Sequence, residues 1–283
     1  MLQLCQIQCF LVIGQVGSTP FYPVEMRYAS LASGSKGNCH AFSDGERTLL
    51  IDAGISFLQI RTRLEALKWD LGRVKAVAFT HEHSDHIAAI PVLLRRTDWS
   101  FMATAETLSA IERIHNLEIP PSRWIPLRAG HALDWEGWRL LPFSTPHDAA
   151  DSVAYRLEAA GFSAAVVTDL GHPTALVVDH CQDLDLLVLE SNHDVQMLRE
   201  GTYPPPLKAR ILSRVGHLSN EASAELLGRC LSSRLRGVVL AHLSEQNNHP
   251  DLAHFFAEEV LRGSATKLHV VRQKDPLELA NEP

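Results

Sequence analysis

Thr80-His81-Glu82-His83-Ser84-Asp85-His86 crowds three imidazoles and an aspartate into the six residues 81–86. Such a cluster has little packing rationale, because imidazoles and a carboxylate forced together are costly to bury without a cation among them. The two histidines of His81-Glu82-His83 are two apart, so on an extended segment both rings project to one side and close on one ion. Asp85 and His86 fall where the next helix begins, which brings a carboxylate and a third imidazole beside the first pair. One ion does not easily use all four groups plus a distant ligand. Two ions do.

Working outward, an apolar strand is expected at 74–79 and a helix at 84–95. On the N-terminal side, 27–32, 39–43 and 48–51 read as short strands, the last two joined by a turn at Asp44-Gly45, and Leu58, Leu64 and Leu67 mark a helix over 57–69. The second half repeats this grammar: strands at 138–145, 152–157, 162–168, 186–189, 237–241 and 268–271, with helices at 174–181, 221–231 and 251–261. Two β-rich blocks, each decorated with helices, predict an α/β chain with a sheet-on-sheet core and helices on both outer faces. His147, Asp169 and His242, like His81, stand at or just past the ends of strand-like segments, where α/β proteins gather their ligands. In that reading His147 completes one ion site, His242 the other, and Asp169 bridges them with its two oxygens.

Composition narrows the class. A chain of 283 residues that is 46% apolar is long enough to bury a sizeable core. Its five cysteines are scattered, with no CxxC pair, so neither a disulfide framework nor a zinc finger is expected, and a reducing cytoplasm fits best. The net charge of −7 speaks mildly against a broad electrostatic grip on nucleic acid, although a metal site adds local positive charge. The apolar run 9–14 is too short to span a bilayer, and no Lys or Arg precedes it, so neither export nor a membrane partner is expected. Residues 1–25 read as an extension of doubtful authenticity, with translation expected from Met26. Residues 26–275 read as one domain, and 276–283 as a C-terminal tail.

The run at 81–86 resembles the HxHxDH signature of the metallo-β-lactamase superfamily. Asp52 in Leu50-Ile51-Asp52-Ala53-Gly54, His147, Asp169 and His242 resemble its other motifs in the right order. More narrowly, the runs 30–39, Glu190-Ser191-Asn192-His193-Asp194 and Gly216-His217-Leu218-Ser219-Asn220 are similar to those of the YycJ (WalJ) group, which is regarded as containing 5′-to-3′ DNA exonucleases. The resemblance implies an αβ/βα four-layer sandwich, two divalent ions (zinc or manganese), and nucleic acid, DNA above all, as substrate. It places one ion on His81, His83 and His147, the other on Asp85, His86 and His242, and Asp169 between them. True β-lactamases of this fold typically lack a histidine directly after the motif aspartate, and flavo-diiron proteins place Glu where His83 stands, so neither antibiotic hydrolysis nor redox chemistry is expected.

The chemistry implied is attack by a metal-bridging hydroxide on a phosphodiester. Asp85 is expected to ligate and to orient that water, and Asp52 to support a ligand histidine. His217 is expected to contact phosphate or protonate the leaving oxygen, with Ser219 capping the following helix. The run 33–38, with Ser35, Gly37 and Asn38, offers a nest of backbone N–H groups for a substrate phosphate. Glu190 resembles an acidic residue that supports the second-metal histidine in nuclease relatives; it and His193 rank below the seven ligands. Asn247, Asn248 and His249 are candidates for lining the substrate path. The first rival is a small-molecule ester, lactone or thioester hydrolase on the same metals, which needs neither the nest nor His217. The second is a non-catalytic metal-binding regulatory protein, against which the complete ligand set stands.

Overall fold

The computed structural model describes residues 26–280. The extension 1–25, with Cys5 and Cys9, lies outside them. The first half runs β1 (Arg27–Ala32), β2 (Cys39–Ser43), β3 (Thr48–Ile51), α1 (Phe57–Ala66), β4 (Val74–Ala78), α2 (Ser84–Ile87), α3 (Ile90–Arg96), β5 (Ser100–Thr104), α4 (Ala105–His115) and β6 (Trp124–Leu127). The second runs β7 (Leu133–Trp135), β8 (Trp138–Ser144), β9 (Val153–Ala159), β10 (Phe162–Val167), α5 (Ala175–His180), β11 (Leu186–Glu190), α6 (Val195–Glu200), α7 (Pro205–Ile211), α8 (Asn220–Cys230), β12 (Gly237–Ala241), α9 (Pro250–Leu261), β13 (Lys267–Val270) and β14 (Leu277–Ala280).

The first half together with β14 builds one sheet, and β7 to β13 build the other. The orders are β14-β1-β2-β3-β4-β5-β6 and β13-β12-β11-β10-β9-β8-β7. In each sheet antiparallel hairpins give way to parallel strands, at β3–β4 in the first and β10–β11 in the second. Side-chain alternation assigns the layers, since neighbours on a strand face opposite sides. Leu49 and Ile51 face the other sheet, where they meet Tyr155, Val166 and Val188. Leu50 and Val77 turn outward onto Ile60, Leu64, Leu93 and Ile111 of the helices. In the second sheet Leu187, Leu189, Val238 and Leu240 turn outward onto Val177, Leu226, Leu227 and Ala257. Each fully buried Leu or Val of this kind stabilises the fold by about 1.5–3 kcal/mol. The result is the expected four-layer αβ/βα sandwich.

Three expectations change. Residues 277–280, read as part of a tail, form β14, which pairs antiparallel with β1 through Tyr28↔Leu279 and Ser30↔Leu277. Its alternation of Leu and Glu is that of a half-buried edge strand, and Glu278 takes an ion pair from Arg27 and the indole N–H of Trp69. The helix expected over 84–95 is two helices, α2 and α3, because Pro91 opens a new first turn and brings no N–H to continue the old one. The parallel extension β5-α4-β6 was not expected; Thr104 caps α4.

One contact fixes the ligand loop to the first sheet. Gly54 packs so closely that a Cβ there would lie 1.6 Å from the Asp85 carbonyl oxygen and 2.7 Å from the Asn38 nitrogen. Backbone bonds from Asn38 N to Asp85 O (2.8 Å), Ala53 N to His86 O (2.8 Å) and Gly54 N to Asn38 O (2.8 Å) stitch the three segments together. Gly54→Ala is therefore expected to destabilise the protein by about 2–3 kcal/mol in urea unfolding and to lower its metal content. Stability within about 0.5 kcal/mol of wild type, with metal content unchanged, would contradict this packing.

Candidate metal centre

The parallel strands of both sheets point their C-terminal ends at one place. Asp52 follows β3, the 81–86 run follows β4, His147 follows β8, Asp169 follows β10, Glu190 ends β11 and His242 follows β12. Asp52, Asp169 and His242 adopt left-handed backbone angles, with φ of 62°, 57° and 56°. That conformation costs a non-glycine residue energy, and it persists where the surrounding structure over-determines it. Here the sharp turn swings each side chain back across the strand ends.

The seven ligands expected from the sequence come together. His83 Nδ1 lies 3.0 Å from His81 Nε2 and 3.3 Å from His147 Nε2. Asp85 Oδ2 lies 3.5 Å from His86 Nε2 and 3.4 Å from His242 Nε2. Asp169 stands between the two groups, its Oδ2 3.2 Å from His86 Nε2 and its Oδ1 3.6 Å from His147 Nε2 and 3.5 Å from His242 Nε2. His81, His83 and His147 form one set whose ligand atoms lie within 4.8 Å of one another, and Asp85, His86 and His242 form another. Asp169 Oδ2 and His242 Nε2 are buried without a hydrogen-bond partner. Imidazole nitrogens aimed at one another, with orphaned buried atoms between them, fit a divalent cation, and this nitrogen and carboxylate set suits zinc or manganese.

Around the ligands runs a layer that aims them. Asp52 accepts from the Thr80 N–H (2.8 Å), the Thr80 hydroxyl (2.9 Å) and His86 Nδ1 (2.8 Å), which leaves His86 Nε2 facing the centre. Asp52 thus acts through His86 and is a positioning residue. The Gly216 carbonyl takes the Nδ1 proton of His147 (3.0 Å), and the Ser33 hydroxyl accepts from the His242 backbone N–H (2.8 Å). Glu190, fully buried, accepts from His217 Nδ1 (2.7 Å) and the Leu170 N–H (2.8 Å), and its Oε1 lies 3.4 Å from His242 Nδ1. His217 stacks on His242 at 5.2 Å and is 15% exposed, so it stands at the mouth of the centre.

The phosphate nest expected at 33–38 is closed. Gly34 N–H donates to Asn38 Oδ1 (2.9 Å), Lys36 N–H to Gln273 (3.0 Å) and Gly37 N–H to the Gly34 carbonyl (3.1 Å), while Asn38 N–H goes to Asp85. Gly37 is needed for contact with Gly54, where a Cβ would come within 2.6 Å of the carbonyl oxygen. Asn38 is buried and its amide reaches Asp85 Oδ2 at 3.4 Å, where it steadies that carboxylate; Ser35 and Lys36 stay exposed on the loop. Asn248 is likewise structural, bonded to Asn220 (2.9 Å) and the Ser191 carbonyl (2.8 Å). His193 is 1% exposed with both ring nitrogens unpartnered, and burial pushes its pKa down to about 4; its carbonyl takes the Asn220 N–H (2.9 Å), tying residues 190–194 to 216–220.

The profile of the β-lactamase superfamily domain matches residues 47–242, a stretch that contains all seven expected ligands. The chain belongs to this superfamily. It is 32% identical over 260 residues to exodeoxyribonuclease YycJ of Bacillus anthracis, covering 90% of this chain and 98% of that one. It is 35% identical over 232 residues to exodeoxyribonuclease WalJ of Streptococcus pneumoniae, covering 82% and 86%. The metallo-β-lactamase fold protein YhfI of Bacillus subtilis has the same fold, with a TM-score of 0.68 at 15% identity over 90% of this chain and 99% of that one. As a YycJ/WalJ-type member of the β-lactamase superfamily the chain is a metal-dependent hydrolase. No helix among the described residues is long and apolar enough to cross a membrane.

The superfamily's ligand cluster carries a proton account. Burial opposes charge on His86 and His242, yet the carboxylates of Asp169, Asp52 and Asp85 hold His86 well above its ordinary pKa, and Asp169, Asp85 and Glu190 do the same for His242. Asp169, against its own burial, is held well below the carboxylate range by His242 and His86. Without a cation these carboxylates favour protons on the two imidazoles, and a metal has to displace any that are there. Metal affinity, measured by chelator competition between about pH 6 and 8, is therefore expected to rise about tenfold or more per pH unit, one factor of ten for each proton released. An affinity independent of pH would contradict it.

Proposed function

We propose that this hydrolase is a dinuclear metal-dependent phosphodiesterase acting on nucleic acid, in particular a 5′-to-3′ DNA exonuclease. The observation that supports it most is a likeness extending over 98% of an exodeoxyribonuclease, in a chain where every ligand of the cluster is present. His81, His83 and His147 would hold one ion, Asp85, His86 and His242 the other, and Asp169 would touch both. A pair of divalent ions, when bound, supplies a hydroxide nucleophile near neutral pH and neutralises charge on the phosphoryl oxygens.

The remaining steps fall to the chain's own side chains. Asp85, 22% exposed between His86 and His242, is held ionised by those imidazoles despite partial burial, and its carboxylate orients water on the open side. Glu190 accepts the Nδ1–H of His217, so Nε2 faces the mouth; with the ring as imidazolium, Nε2–H would contact a phosphate oxygen or protonate the leaving oxygen. Burial works against charge on Glu190, but His217 holds it down to about 2, so its carboxylate stays ionised and keeps the imidazole aimed.

The test follows protein loaded separately with manganese and with zinc on 5′-phosphorylated single- and double-stranded DNA. Progressive shortening from the 5′ end that disappears in His83→Ala is the expected result. His217→Ala should lower kcat by about 10²–10⁴-fold with metal content retained. No cleavage by wild type carrying two ions per chain would move the assignment to a small-molecule ester or thioester hydrolase.

A further inference from the structure

Segment 201–217 leads from α6 through α7 to His217 and carries Lys208, Arg210 and Arg214 with no Asp or Glu, in a chain whose net charge is −7. It is fastened to the metal centre at several points. Its Gly216 carbonyl takes the His147 ring N–H (3.0 Å), and its Val215 carbonyl takes the Asp148 N–H (3.1 Å). Arg210 grips both oxygens of Asp148, with Nη2 2.9 Å from Oδ1, and its guanidinium feels the Asp169 and Asp85 carboxylates of the centre. On the other side, a Cβ on Gly171 would lie 2.2 Å from the Arg214 carbonyl oxygen, so the loop that follows Asp169 lies flat against the segment. Arg214 Nη2 rests on His172 Nε2 at 2.6 Å, a contact with no carboxylate to cancel its charge.

The segment is also apolar where it meets water. Seven large apolar side chains stand exposed among the described residues, and two of them, Leu212 at 42% and Val215 at 43%, flank Arg214. A cavity of about 410 Å³ elsewhere on the surface differs: Arg272 and Lys274 line it together with Glu245 and Asp275, and Lys36 is already paired with Glu245. Two acids against three cations leave about one charge there. Subtracting Asp148 from segment 201–217 leaves Lys208 and Arg214 both uncompensated. Cations interleaved with exposed apolar side chains suit a single nucleic-acid strand, which offers phosphates and the flat faces of unpaired bases together, whereas duplex hides its bases.

We propose that residues 201–217 form the wall that grips a single-stranded end of the substrate, its phosphates against Lys208 and Arg214 and its bases over Leu212 and Val215. This rests on the nuclease reading above and names what that site holds. Because the wall ends in His217 and is bonded to the His147 loop, a strand lying on it is held in fixed register with the metals.

The experiment uses metal-loaded wild type, Arg214→Gln and Leu212→Ser, both changes on exposed side chains. Binding of a fluorescein-labelled single strand, and of the matching blunt duplex, is read by anisotropy across a salt series, and kcat/KM is read on that strand and on bis(p-nitrophenyl) phosphate. Arg214→Gln is expected to weaken strand binding about five- to tenfold at low salt and to reduce the slope of log affinity against log salt by about 0.7, one phosphate contact on a single strand. Leu212→Ser is expected to weaken binding with the salt slope unchanged. In both, kcat/KM on the strand falls relative to that on the small diester. Strand affinity and slope equal to wild type in Arg214→Gln would overturn the wall while leaving the nuclease reading in place. A wild type that hydrolyses the small diester yet neither binds nor shortens the strand would overturn that reading itself. Equal losses from Leu212→Ser on strand and blunt duplex would overturn the single-strand assignment.

Discussion

Asp169 is a carboxylate 2% exposed, ringed by imidazole nitrogens, with one oxygen that finds no hydrogen-bond donor in the protein. A group so placed is tolerated only beside positive charge, since burying an unpaired carboxylate costs several kcal/mol. The protons on His86 and His242 or divalent cations meet that demand, and only cations also use His81, His83 and His147, whose nitrogens converge on the other side of Asp169. The remaining site geometry follows from keeping these groups together.

The scaffold does so by strand ends and strain. Parallel strands in each sheet deliver their last residues to a common edge, and left-handed turns at Asp52, Asp169 and His242 bend those residues inward. The four layers supply the stability against which that strain is held, through apolar faces on both sides of each sheet. A second ring of bonds, from Asp52 to His86, Gly216 to His147 and Glu190 to His217, fixes which nitrogen of each imidazole faces inward.

Much of this was legible from the chain because it depends on local order. The spacing in 81–86 announces the ligands whatever surrounds them, and strands such as 237–241 are continuous apolar runs. Supporting contacts are legible only where chemistry singles them out: Asp52 and Glu190 are acids at strand ends, but Thr80, Ser33 and Asn192 are ordinary polar residues whose partners lie far off in sequence. Asn192 meets the His242 carbonyl 50 positions away, at 2.9 Å, and nothing in the order of residues signals it. The run 33–38 misleads for a related reason. Small residues approach a backbone as readily as a phosphate, and here the backbone of residues 54 and 85 is what they approach. β14 escaped because four alternating residues at a chain end look like a tail until β1 offers an edge.

The measurement that bears most directly on the account is anomalous diffraction from crystals of the metal-loaded protein, with data on both sides of the metal's absorption edge. Two peaks roughly 3.5–4 Å apart, one among His81, His83 and His147 and one among Asp85, His86 and His242, with Asp169 touching both, is the result expected. A single fully occupied peak with the second set of ligands hydrogen-bonded among themselves, or no peak at all, would contradict it.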